Sequence, residues 1–296
     1  MTRLKELERK AIERLKAFEP ENEPYYLCYS GGKDSDVIKI LAAVAGVRYE
    51  AYHNLTTADA PKTVKYVKSQ SDVIIIKPKL SMWELIPKKK IPPTRLIRYC
   101  CSEFKEKNGT GRVKITGTRW AESVKRAENT DVVKIIGKPK TVMKTANDIG
   151  ADFRQNNMGG IVMNNDNDAS RRMVEMCYRT TSTLINPIVD WQNTEVWEYL
   201  KYYGCDANPL YSEGFCRVGC IGCPLGGSKS MKKEFKRYPK YKQLYIHAFD
   251  RMLKARKQAG MKNNDWRDGE AVMTWWLGDN PNQLTFYDYL DGNEEE

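Results

Sequence analysis

Tyr25-Tyr26-Leu27-Cys28-Tyr29-Ser30-Gly31-Gly32-Lys33-Asp34-Ser35, running on through Asp36 to Ala45 and Gly46, decides how this chain is read. After Pro24, the residues Tyr25 to Tyr29 form a strand-like run rich in aromatics. The glycine pair follows at once, and Asp36 to Ala45 has the spacing of a helix closed by Gly46. A glycine turn between a strand and a helix lets backbone N–H groups face inward at the helix start, where the helix dipole also favours an anion. Ser30 and Ser35 add hydroxyl donors and Lys33 adds a charge. Asp34 sits oddly beside a phosphate, unless it binds Mg²⁺ or holds the loop through backbone hydrogen bonds. The spacing of a Walker A loop, G-x-x-x-x-G-K-[ST], is absent.

Outward from this loop the pattern alternates. Val47 to His53 reads as a strand, a helix starts near Pro61, and Val73 to Ile76 is an apolar strand. Leu80 to Pro93, with three prolines and a lysine triplet, reads as a loop and a candidate lid. A short helix is predicted around Arg95 to Lys105, a strand over Val113 to Thr118, and a helix from Trp120. Strands joined by helix-length connections imply an α/β fold, a doubly wound parallel sheet covered on both faces. Residues 131–175 lose the pattern and read as an irregular insertion containing the Asn/Asp cluster of 163–168. Order returns at Asn186-Pro187-Ile188-Val189-Asp190-Trp191, with a helix from Thr194 to Tyr203. The predicted organisation is an amphipathic N-terminal helix (1–22), a nucleotide-binding domain (23–204), and a cysteine-rich loop followed by basic helices (205–296).

The 296 residues carry 49 Lys+Arg against 38 Asp+Glu, a net charge of +11, which favours anionic partners, either nucleic acid or phosphorylated small molecules. No apolar run spans a bilayer, and the charged N-terminus is unlike a signal peptide, so a cytoplasmic protein without a membrane partner is expected. Thiols stay reduced there, so the eight cysteines suggest metal or redox chemistry rather than disulfides. Cys100-Cys101 and the C-x-x-C of Cys220-Ile221-Gly222-Cys223 together supply four thiolates, enough for Zn²⁺ or a [4Fe–4S] cluster. Cys205 and Cys216 flank the second pair as inert thiols, alternative ligands or sulfur carriers. Cys28 and Cys177 are assigned to packing. Thr57 and Asp59 follow a strand, at the end of a parallel sheet where ligands sit. Asp59 is equally suited to capping the helix before Pro61. From Lys229 to Arg256, lysines and arginines interleave with aromatics spaced as a core-facing helix stripe, which also suits stacking on nucleic-acid bases.

Ser30 to Ser35 resembles the SGGxDS signature of the PP-loop superfamily, the ATP pyrophosphatases with an adenine-nucleotide α-hydrolase-like fold. The cysteine pairs resemble those of the phosphoadenylyl-sulfate (PAPS) reductase family, whose adenylyl-sulfate reductases ligate a [4Fe–4S] cluster with a CC pair and a later C-x-x-C. Asn208-Pro209-Leu210-Tyr211-Ser212-Glu213-Gly214-Phe215 precedes the second pair in a similar context. Gly117-Thr118-Arg119-Trp120-Ala121-Glu122-Ser123-Val124-Lys125-Arg126 is similar to the family's G-x-R-x-x-E-S-x-x-R. The resemblance, over roughly residues 25 to 225, implies a cluster on Cys100, Cys101, Cys220 and Cys223. It implies an adenine nucleotide on Ser30 to Ser35 with Thr57, Asp59, Gly117 and Ser123 nearby. Lys33, Asp34, Arg119 and Arg126 are then the candidate catalytic residues.

The reductases use a cysteine near the C-terminus as nucleophile, and no cysteine follows Cys223. With the loop intact, the chain also resembles DndC-type proteins, which insert sulfur into the DNA backbone, and it shares the logic of tRNA-thiolating enzymes. The expectation is ATP-dependent adenylation of an acceptor, with Mg²⁺, followed by sulfur transfer to DNA or tRNA from a sulfur-donor protein. A sulfite-forming reductase acting on adenylyl sulfate (APS) or PAPS is the alternative. A nucleotide- or nucleic-acid-binding module with structural zinc is the non-enzymatic one.

Overall fold

In a computed structural model of the chain, residues 2–136, 143, 153–155, 161–163, 182–261 and 266–279 are described. The Asn/Asp cluster, apart from Met163, and Cys177 lie outside them. The chain divides into two units, one comprising the residues up to Asn54, Pro61–Ile76 and Glu106–Gly219, the other Leu55–Ala60, Lys77–Lys105 and the chain from Cys220 onward. These divisions fall elsewhere than the predicted 1–22, 23–204 and 205–296, because the second unit also recruits chain that leaves after the second and third strands.

The first unit is built on a sheet of strands β1 (Tyr25–Cys28), β2 (Tyr49–Asn54), β3 (Val73–Ile76), β4 (Val113–Ile115), β5 (Val133–Ile136), β6 (Arg154–Gln155), β7 (Ile161–Met163) and β8 (Ser182–Ile185). Their order is β3-β2-β1-β4-β8-β5-β7-β6. The pairs β3/β2, β2/β1, β1/β4 and β4/β8 are parallel. β5 runs antiparallel to β8 and β7, and β6 antiparallel to β7. The expected α/β parallel sheet is therefore present as the parallel part of a mixed sheet. The antiparallel extension comes from the segment predicted to be irregular: Val133 and Ile135 alternate as buried residues, a short period-two signal that the polar sequence around it obscures.

The first connections, β1 to β2 to β3, build the sheet in one direction, and β4 then joins the other side of β1. This reversal opens a crevice at the carboxyl ends of β1 and β4, the place where ligands bind in open α/β sheets. Tyr25 and Leu27 of β1 point into the core. Helices α1 (Arg3–Ala17) and α2 (Lys33–Ala45) contact each other there through Ala11, Leu15, Ile38 and Leu41. Helix α2 starts at Lys33, earlier than the predicted Asp36. Ser35 Oγ donates to the Gly32 carbonyl at 2.7 Å, so the loop itself forms the first helical turn. Gly46 ends it at φ +70°. Helix α3 spans Pro61–Lys68.

In the second unit, the predicted loop Leu80 to Pro93 contains helix α4 (Met82–Lys89). Ser81 and Glu84 form its N-terminal box, Glu84 Oε2 accepting from the Ser81 N–H at 2.8 Å, and Met82, Leu85 and Ile86 are buried at helical spacing. Pro87 sits in the last turn, and the helix stops at Lys90 in the left-handed region (φ +57°). The helix predicted over Arg95 to Lys105 is shorter and uneven: Tyr99–Cys101 is helical and Ser102–Glu106 continues as a widened π-helical turn.

Back in the first unit, the helix predicted from Trp120 is broken in two. A tight turn at Trp120–Glu122 ends at Ser123, whose hydroxyl accepts the Arg126 N–H to start α5 (Val124–Asn129). Helix α6 spans Asn193–Tyr202.

The second unit is completed by α7 (Gly227–Arg237), α8 (Pro239–Gln258) and α9 (Gly269–Trp276). The aromatic stripe is largely packing. Phe235, Tyr245 and Phe249 are buried with Trp276, and Trp83 meets Tyr245 edge-on at 4.9 Å. Among the described residues, no helix is long and apolar enough to cross a membrane.

Candidate functional site

The loop lies in the first unit, between β1 and α2. Gly31 has φ +73°, and a Cβ there would stand 2.8 Å from Val67 Cγ2 of α3, so the turn is closed to other residues on two grounds. Gly32 N–H donates towards the hydroxyls of Ser35 (3.1 Å) and Ser30 (3.3 Å). Lys33 N–H donates to the Tyr211 hydroxyl at 3.0 Å.

Asp34 takes neither of the roles the sequence left open. One of its oxygens accepts from Lys33 Nζ at 2.9 Å and the other from Arg119 Nε at 2.7 Å. Arg119 also donates to the Trp191 carbonyl at 3.2 Å, which fixes the plane of its guanidinium. Lys33 is 6% exposed and Arg119 2%, so the loop holds two buried cations around Asp34, with the buried Asp36 carboxylate behind them. Cations held out of bulk water interact strongly with any anion that reaches them. With both oxygens of Asp34 engaged by cations, the carboxylate does not fit a direct Mg²⁺ ligand in this arrangement. Gly117, just past β4, closes the site from the other side of the crevice: a Cβ there would stand 2.9 Å from the Asp34 carbonyl oxygen.

Behind the loop, Asp36 is buried and accepts the Tyr29 hydroxyl at 2.6 Å through one oxygen, and Tyr66 also interacts with the carboxylate. Burial pushes its pKa up to about 6, against the Tyr29 hydroxyl bond, which holds it down.

The other predicted site residues have partners of their own. Ser123 caps α5, and Arg126 is exposed and paired with Glu122. Thr57 and Asp59 belong to the second unit. The Thr57 hydroxyl accepts the Met82 N–H at 2.8 Å, and an Asp59 carboxylate oxygen accepts the Thr56 N–H at 2.6 Å.

Two loop partners were not singled out by sequence reasoning. Asn208, 1% exposed, donates to the Gly31 carbonyl at 2.9 Å. Tyr211 holds Lys33 N–H, and its hydroxyl would meet a Cβ on Gly32 at 3.1 Å. The signal was their place in Asn208-Pro209-Leu210-Tyr211, whose Asn-Pro start marks a turn that must face something.

All four paired cysteines belong to the second unit. Cys100 interacts electrostatically with Cys101, Cys220 and Cys223, which raises its pKa together with burial; the largest cause is its hydrogen bond to Cys101. Cys101 is lowered to about 6, first by that bond from the Cys100 thiol, then by the charges of Lys105 and Arg98. Lys105 is raised, chiefly by Cys220 and further by Asp59, Cys101 and Cys223. A neighbourhood of four soft donors with a cation held by thiolate charge suits an anionic thiolate-ligated centre. Among the described residues, no three or more His, Cys, Asp or Glu side chains are drawn up as a ligand set.

The C-x-x-C turn itself is held at each point. The Ile221 N–H donates to the Ala58 carbonyl at 2.7 Å and Gly222 N–H to Glu234 Oε2 at 2.7 Å. The Tyr245 hydroxyl donates to the Ile221 carbonyl at 3.0 Å. Gly222 has φ +71° and would place a Cβ 2.5 Å from the Phe235 ring. Cys220 Sγ lies 3.3 Å from Thr56 Oγ1. Cys28 is pushed up to about 11 by burial, consistent with an inert thiol, and Cys216 is exposed.

Residues 24–226 match the phosphoadenosine phosphosulfate reductase domain family. An uncharacterized protein of Methanocaldococcus jannaschii is 26% identical over 279 residues, covering 89% of this chain and 56% of that protein. A phosphoadenosine 5′-phosphosulfate reductase of Xylella fastidiosa is 32% identical over 59 residues, 20% of this chain and 25% of that one. This chain thus spans about half the length of the first relative and a quarter of the second. A phosphoadenylyl-sulfate reductase structure from Candida auris aligns with a TM-score of 0.43 at 14% identity, covering 74% of this chain and 96% of that one.

Proposed function

The chain belongs to the phosphoadenosine phosphosulfate reductase domain family, and on that premise we propose that it is an enzyme that binds ATP at Ser30–Ser35 and activates an acceptor for sulfur. The observation that carries this reading is the buried Lys33–Asp34–Arg119 set beside inward N–H groups at the β1/β4 crevice. Phosphate oxygens are favoured there by the helix dipole, the glycine turn and the Lys33 cation.

In this mechanism the Gly31-Gly32 turn and Lys33 cradle the β- and γ-phosphates, and the Ser30 and Ser35 hydroxyls orient them. Arg119 holds Asp34 turned away from the phosphates. An acceptor oxygen attacks the α-phosphorus, the bond to the β-phosphate oxygen breaks, and pyrophosphate leaves. Sulfide-level sulfur, brought by a donor protein, then displaces AMP from the activated acceptor, so no net oxidation is needed. Arg126, exposed on α5, is available to the acceptor's anionic groups. Cys100, Cys101, Cys220 and Cys223 would hold a [4Fe–4S] cluster, which when bound supplies soft iron sites for reduced sulfur. The acceptor class suggested by the net charge of +11 and the exposed lysines of α7 is a polyanion, DNA or tRNA.

Family membership itself favours a second reading, reduction of APS or PAPS to sulfite. The two separate in one experiment on anaerobically purified protein. Pyrophosphate released from ATP, dependent on the polynucleotide, supports the first. Sulfite released from APS or PAPS without ATP turnover replaces it with the second.

A further inference from the structure

The N–H groups that would receive phosphate are already occupied by oxygens of the protein itself. Gly32 N–H is shared by the Ser30 and Ser35 hydroxyls, which belong to the loop itself and are bonded to each other at 3.2 Å. Lys33 N–H is different: its acceptor is the phenol oxygen of Tyr211, brought from 178 residues along the chain. That oxygen accepts from the first N–H of α2, at the helix end where the dipole favours negative charge. Its approach is close: a Cβ on Gly32 would stand 3.1 Å from it, so a side chain there would press on the phenol. The phenol is held neutral, its pKa raised chiefly by burial, with Asp34 and Asp36 adding to it. A neutral oxygen on a site that favours an anion is a weak occupant.

We infer that Tyr211 is a placeholder: its hydroxyl fills the phosphate-oxygen position on Lys33 N–H, and the nucleotide binds by displacing it. The inference rests on the nucleotide reading of the same loop. The ring is half-buried rather than locked, and its neighbour on the exposed side is Trp197 of α6, edge-on at 5.0 Å and 36% exposed. Asn208, three residues earlier, stays anchored on the Gly31 carbonyl. The motion is therefore a swing of Tyr211 about a fixed Asn208, not a release of the whole segment. Displacement costs the empty protein one hydrogen bond, so the phenol sets the affinity for nucleotide downward and keeps the anion site satisfied when empty.

The test is calorimetric titration of the α,β-methylene analogue of ATP into the full chain and its Tyr211→Phe and Trp197→Phe variants, with tryptophan emission followed in parallel. Phenylalanine fills the same space without the competing oxygen, so Tyr211→Phe should bind on the order of fivefold tighter, the range one net hydrogen bond supplies. The wild-type chain should show an emission change that saturates with the calorimetric Kd and is missing from Trp197→Phe. Unchanged affinity in Tyr211→Phe with no Trp197 signal overturns the placeholder and leaves the loop reading intact. Weaker binding also overturns it, since Tyr211 would then be a ligand of the nucleotide. Failure of the analogue to bind any of the three proteins defeats the loop reading and the inference together.

Discussion

The carbonyl oxygen of Asp34 lies 2.9 Å from the position that a Cβ on Gly117 would take, so the start of α2 and the end of β4 meet backbone to backbone. Such a contact admits no methyl group, because neither partner is a flexible side chain. Gly117→Ala should push the loop away from the crevice. We expect a stability loss of about 1–3 kcal/mol, as for overpacking elsewhere, and a fall in ATP affinity of at least about tenfold. Thermal melting and calorimetry read the two separately.

Arg119 joins Asp34 to the Trp191 carbonyl from a site that is 2% exposed. Arg119→Lys keeps the charge but not the fork. It should weaken ATP binding on the order of tenfold with a modest effect on melting. Arg119→Met leaves Lys33 as the sole counter-charge to Asp34 and should cost about 3 kcal/mol of folding stability, the scale for breaking a buried pair. Equal losses in the two variants would mean that the guanidinium fork and not the charge is what matters there, and a Lys variant equal to wild type would mean that charge alone suffices.

Asp36 gives a pH dependence of unusual sign. Its folded pKa is raised from 3.8 to about 6, so between those values the folded chain binds more protons than the unfolded one. This contribution to stability therefore grows as pH falls from about 7 to 4 and is lost as pH rises. Asp36→Asn keeps an oxygen for the Tyr29 hydroxyl and removes the buried charge. It should be more stable at pH 8 by up to about 3 kcal/mol and flatten the profile between pH 4 and 7. Urea titrations across that range check both.

The cysteine pairs predict a metal inventory. After anaerobic purification, the wild-type chain should be brown, with about four iron and four sulfide per chain and absorbance near about 400 nm. Cys220→Ala and Cys101→Ala should lose most of the iron. Cys216→Ala, whose thiol is exposed and outside the paired set, should keep it. Stoichiometric zinc without colour in the wild-type chain would replace the cluster with a structural metal site.

What could be read from the chain in advance follows the range of the interactions concerned. The strands β1, β2 and β3 and helix α2 were legible because their periodicity and glycine stops are local. The Ser81/Glu84 box was equally local, yet the prolines and lysines around it masked α4. The antiparallel strands β5 to β7 were missed because short strands set among polar residues leave little periodicity. Asp34 shows the same limit at the site: its neighbours in sequence suggested a metal or a turn, whereas besides Lys33 its partner is Arg119, which arrives from the turn after β4. Tyr211 was invisible as a loop partner for the same reason.

The discontinuity of the second unit bears on how the protein matures. Cys100 and Cys101 lie on one of its chain pieces and Cys220 and Cys223 on another, with most of the first unit's strands encoded between them. Contacts this distant along the chain form late, after loop-closure entropy has been overcome. A nascent or truncated chain holding only the first pair presents two adjacent thiols and no complete set. On the cluster reading, loading with iron would be a checkpoint on completed folding, because all four proposed ligands are present only once the chain has been made as far as Cys223.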